Sequence, residues 1–111
     1  MNAVWQGDAN SYAFRALGLC ASPPRPLVVT GPELVSVREA AKAFGERFSR
    51  PVRFEGAPGP ALLGDPSLCV SLLGPPEVPL SRLIDWVADW VARGGRSLGK
   101  PTHFEATDGR F

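Results

Sequence analysis

Apolar residues recur at helical spacing in some stretches of this chain and run together in others. Between residues 8 and 19, Ala9, Tyr12, Ala13, Ala16 and Leu17 return every three or four positions. That spacing predicts a helix with Asp8 as its N-cap, and Phe14 and Leu19 widen its apolar face. Ser22-Pro23-Pro24-Arg25-Pro26 stops the helix and imposes an extended path. Leu27 to Thr30 is a short apolar run that reads as a buried strand. Gly31-Pro32-Glu33 turns the chain, and Ser36 with Glu39 forms a capping-box pattern that opens a helix ending near Ser49. Val37, Ala40, Ala41, Phe44 and Phe48 line one face of that helix, and Lys42–Glu46 and Glu46–Arg50 are charge pairs one turn apart. Gly45 weakens it by about 1 kcal/mol unless close packing requires a glycine. Pro51 ends it, and Val52-Arg53-Phe54 reads as a second strand. Strand, helix and strand over 27–54 predict one βαβ unit with parallel pairing.

Residues 55–63 form a Gly/Pro/Ala loop. Asp65 can cap a helix with Pro66 in its first position, and Leu68, Val70, Leu72 and Leu73 are its buried residues. The last helix, Leu80 to Arg93, has the clearest period. Leu83, Ile84, Val87 and Val91 form its expected core stripe, with Trp86 and Trp90 beside it and Asp85 and Asp89 toward water. Asp89–Arg93 is a well-oriented pair, and Gly94 closes the helix at C′. Residues 95–111 are expected to run across the surface. The pattern as a whole predicts an α/β class: a small mixed domain of about four helices and a short two-strand parallel ribbon.

The order of these blocks resembles the C-terminal, substrate-side part of the extended short-chain dehydrogenase/reductases, the NAD-dependent epimerase/dehydratases. Val4 to Asn10, Val29-Thr30-Gly31-Pro32-Glu33 with Ser36-Val37-Arg38-Glu39, and Asp65-Pro66-Ser67 through Leu73-Gly74 carry the likeness. Gly99-Lys100-Pro101-Thr102-His103-Phe104-Glu105 is similar to the tail of a narrower bacterial branch. The resemblance implies NAD(P) for a full-length protein, whose cofactor half would lie upstream of Met1. This chain has no glycine-rich turn between a strand and a helix to hold a dinucleotide. It also lacks the family's Tyr/Lys pair, since Ala16 stands four residues after Tyr12. The loop Glu55-Gly56-Ala57-Pro58 lacks the arginine common in nucleotide-sugar members, and Arg53 belongs to the strand before it. The implied reading is a single partial domain, 1–111, of an oxidoreductase-like protein. It would bind no cofactor alone and be inactive alone, with no catalytic, cofactor-binding or metal residue assigned. The alternative is a non-enzymatic module that pairs with itself or with a cofactor-binding partner.

Charge changes the picture little. Twelve basic and eleven acidic residues give a net charge of +1 with His103 neutral. Arg25, Arg53 and Arg96 form no stripe, so neither a nucleic-acid nor a membrane partner is expected. Cys20 and Cys69 sit in apolar segments and read as buried hydrophobes; with no export segment evident, the expectation is cytoplasmic. His103 and Glu105 are too few for a metal site. Asp85 and Asp89 read as solvent-facing, Ser36 as a cap rather than a nucleophile, and Gly31, Gly56 and Gly59 as turn residues. The broad apolar face of helix 8–19 predicts that Phe14 or Tyr12, with Trp5 nearby, is exposed and meets a second copy or a missing cofactor domain.

Overall fold

The computed structural model describes residues 1–56, 59, 61 and 63–100. Its regular structure is helical: α1 (Gln6–Ala16, continued by a 3-10 turn at Leu17–Leu19), α2 (Val37–Phe48), α3 (Ser67–Leu73) and α4 (Leu80–Ala92). The helices fall close to their predicted places because the 3.6-residue period and the end signals agree. Around α2, Ser36 Oγ accepts from the Glu39 amide at 3.0 Å, and the Glu39 carboxylate accepts from the Ser36 amide at 2.9 Å. At its other end Ser49 adopts a left-handed conformation (φ 52°), while the Ser49 and Arg50 amides donate to the Glu46 and Gly45 carbonyls. The end of α4 repeats this arrangement with Gly94 at φ 68° and the Gly95 amide on the Trp90 carbonyl.

The predicted parallel ribbon does not form, and this overturns the α/β reading. Among the described residues the only β pairing is an isolated antiparallel bridge between Asn2 and Leu34. Side-chain docking explains why the two apolar segments stay apart. Leu27 and Val29 pack on the cluster of Tyr12, Cys69 and Leu73. Val28 and Thr30 face the other way, over Gly64, so the segment is extended yet committed on both faces. Val52 is instead held against α2, with its Cγ2 2.5 Å from where a Gly45 side chain would begin. Phe54 lies beneath the Arg38 guanidinium, 4.1 Å from ring centre to charge. Each segment is tied to a different helix, and three or four residues offer too few ladder bonds to compete.

The helices pack as two pairs, α1 with α3 and α2 with α4. Tyr12, Cys69 and Leu73 centre the first pair; Ala40, Ile84 and Ala88 are the buried apolar residues of the second. The expected core stripe of α4 is therefore corrected: Ile84 is buried, but Val87 and Val91 are exposed, and Ala88 takes the inner position. Asp85 is exposed as expected, and in addition it accepts from Arg47 Nε at 2.7 Å, joining α2 to α4. The predicted Asp89–Arg93 pair is present. Cys69 is buried as expected, whereas Cys20 is exposed.

Candidate functional site

Five polar side chains hold backbone between the elements. Asn2 Nδ2 donates to the Gly31 and Gly64 carbonyls at 3.0 and 2.8 Å, and its Oδ1 accepts from the Gly64 amide. Asp8 lies inside the first turn of α1 rather than capping it, since the helix begins at Gln6. Its carboxylate is only 5% exposed and accepts from the Glu77 and Val78 amides at 3.3 and 3.1 Å. Glu33 reaches the start of α4 and accepts from the Leu80 amide at 2.8 Å, serving where Pro79 offers no capping side chain. Tyr12 donates its hydroxyl to the Gly74 carbonyl at 2.8 Å, and Arg15 donates to the neighbouring Leu73 carbonyl. Burial raises the Tyr12 phenol above its ordinary range and does the same to the Cys69 thiol. Asn2, Asp8, Glu33, Tyr12 and Arg15 are thus occupied in holding backbone.

A groove of about 590 Å³ lies beside α3 and is lined mainly by Pro32, Leu34, Leu63, Pro66 and Val70. Its polar groups are engaged within the chain. Asn2 holds the loops, and Asp65 Oδ1 accepts from the Ser67 amide at 2.9 Å and from the Ser67 hydroxyl. Those two bonds lower the Asp65 carboxyl below its usual range. Among the described residues, no acid/base pair, nucleophile with an adjacent base, or convergent anion site opens into this groove. Among the described residues no group of three or more His, Cys, Asp or Glu side chains could hold a metal ion. His103 and Glu105 lie outside the described residues.

What the structure does offer is apolar surface. On α1, Asp8, Tyr12 and Ala16 turn inward, so the helical spacing sends Phe14 and Leu17 to the opposite side, 77% and 69% exposed. The sequence expectation of an exposed Phe14 or Tyr12 thus divides: Phe14 is outside and Tyr12 is in the core. Trp5 is partly exposed and stands edge-on to Trp86, with ring centres 5.2 Å apart. Trp90, one turn beyond Trp86, keeps an exposed ring while its Nε1 donates to the Arg96 carbonyl at 3.3 Å.

No protein-family model, curated protein or solved structure matches this chain. The sequence resemblance to epimerase/dehydratases is not supported. The sheet that such a substrate-side region requires is missing among the described residues, and no family match stands in its favour. The fragment-of-an-oxidoreductase reading, with its NAD-dependent function, falls with it. No described helix is long and apolar enough to cross a membrane.

Sequence reasoning also missed the clasps. Asn2 carries no local signal, because its partners lie 29 and 62 residues away. Glu33 could have been suspected from the uncapped start of α4, since four free amides at a helix N-terminus require an acceptor.

Proposed function

We propose that this chain acts by associating with a second copy of itself through the outward face of α1. One observation carries the reading: Phe14 is 77% exposed and faces away from a core to which the same helix contributes Asp8 and Tyr12. Leu17 and Leu19 extend that surface toward the C-terminal end of α1 and its 3-10 turn. A large aromatic flanked by leucines on a solvent-facing helix gains stability when covered, and aromatic side chains supply much of the binding energy at protein interfaces. The near-balance of acidic and basic residues leaves no strong self-repulsion to oppose association.

The test is static light scattering of wild type and Phe14→Asp alongside thermal unfolding. The variant's mean mass falls, while its stability stays within about 0.5 kcal/mol of wild type, as for other surface changes. Unfolding of the variant at unchanged mass would return Phe14 to the chain's own core and end the proposal.

A further inference from the structure

We propose that α4 carries a second and independent face for self-association, where two copies lie antiparallel across a two-fold axis with their tryptophans between them. The inference extends the self-association reading to a different surface. The chain has three tryptophans, and all three lie together, partly exposed. Trp5 leans edge-on against Trp86, and Trp90 follows Trp86 by one helical turn. Val87 and Val91 flank them on the same helix. These five side chains are each 38–56% exposed, although the opposite face of α4 is seated on α2 through Ile84, Ala88 and the Asp85–Arg47 pair. α4 is therefore fixed along one side, with Trp86 and Trp90 turned away from it and Val87 and Val91 on the flank toward Ile84.

The area of this strip of five side chains matches what a dimer needs. With ordinary side-chain sizes, the exposed parts of the five residues amount to about 480 Å² of apolar surface per copy. A stable interface buries about 800 Å² on each partner, and roughly 56–65% of that area is non-polar. The strip supplies about that non-polar share, and the helix flank supplies the polar rim. Arg82, Asp89 and Arg93 are exposed along the edge that borders Trp86 and Trp90. In an antiparallel pair, a mixed-sign edge brings Arg82 of one copy toward Asp89 of the other. A second copy thus brings an aspartate to Arg82, where a strongly basic partner would meet Arg82 and Arg93 as like charge. Tryptophan and arginine are also the residues that most often dominate such contacts.

Two different isologous faces on one chain carry assembly beyond the dimer, to a closed tetramer or an open chain of copies. The experiment measures mass by sedimentation and tryptophan emission on dilution for wild type, Phe14→Asp, Trp90→Arg, Val87→Arg and the double variant Phe14→Asp/Val87→Arg. Wild type is larger than a dimer. Phe14→Asp is a dimer whose emission shifts to the red as it dissociates, because its remaining contact covers the tryptophans. Each α4 variant is a dimer without that shift, and the double variant is a monomer. Val87→Arg guards against misfolding, since Trp90 also holds the Arg96 carbonyl and packs on Gly95. A monomeric Phe14→Asp with constant emission overturns the α4 face and leaves the α1 reading intact. α4 variants with wild-type mass overturn the α4 face as well. Phe14→Asp with wild-type mass removes the α1 reading alone, and a monomeric wild type removes both.

Discussion

At the scale of single residues, the most consequential group is a carboxylate that holds backbone. Asp8 is buried and spends both oxygens on the Glu77 and Val78 amides. Replacing it by Ala leaves two donors without partners, which costs about 1–3 kcal/mol for each donor that water cannot reach. Urea unfolding of Asp8→Ala should show that loss, and Asp8→Asn, which keeps one acceptor, should show less. Glu39 behaves differently because it is exposed. Its hydrogen bonds from the Ser36 amide and hydroxyl side of the capping box lower its carboxyl below the usual range. A lowered carboxylate stabilises the fold fully above its ordinary pKa, and that contribution is lost as pH falls through the lowered value. The melting temperature of wild type should therefore exceed that of Glu39→Gln at pH 6, with the gap closing toward pH 2. Equal gaps across that range would show that the box contributes no charge-dependent stability.

Among the elements, the helices were legible and the strands were not, for a reason visible at Gly45. A helix declares itself in its own residues, through period and caps, and Ser36 with Glu39 or Gly94 needs no distant partner. A strand is completed by another strand, and Leu27–Thr30 and Val52–Phe54 carry the composition of strands without specifying a neighbour. What claimed Val52 was the bare backbone of α2. Gly45 is buried, and a side chain there would meet Val52 Cγ2 at 2.5 Å and the Arg50 carbonyl at 2.9 Å. The glycine that weakens the helix locally is thus what lets the chain fold back along it. Gly45→Ala should destabilise the protein by about 1–3 kcal/mol despite the better helix propensity of alanine, because the crowding is against backbone as well as a side chain. Chemical denaturation measures this directly; a gain in stability would mean that residues 50–52 can move aside at little cost. The exposed stripe of α4 was equally hidden, since periodicity locates an apolar face but not which part of a wide one is covered.

For the molecule as a whole, the candidate surfaces were only partly readable. The excess of apolar positions on helix 8–19 was evident in the sequence, whereas the inward turn of Tyr12 depended on Gly74 and Cys69, far along the chain. The two helix pairs have separate interiors. Each has its own buried residues, Tyr12, Cys69 and Leu73 in one and Ala40, Ile84 and Ala88 in the other. Asp8 reaches from the first pair to the residues ahead of α4 and Trp5 to Trp86, Glu33 holds the first amide of α4 from the segment ahead of α2, and Met1 and Asn2 tie the N-terminus to residues 31–35. Cooperative melting of such a body depends on those crossings rather than on a common interior. In a calorimeter, wild type should give one transition whose measured heat equals its van 't Hoff heat. Without the Asp8 and Glu33 carboxylates, each helix pair keeps its interior while α4 and the residues ahead of it lose two of their ties to the rest of the chain. The Asp8→Ala/Glu33→Ala protein should then absorb heat in two overlapping steps, its van 't Hoff enthalpy falling well below the calorimetric one. Two acidic side chains bound to backbone amides would in this way help decide whether the chain behaves as one thermodynamic unit or as two.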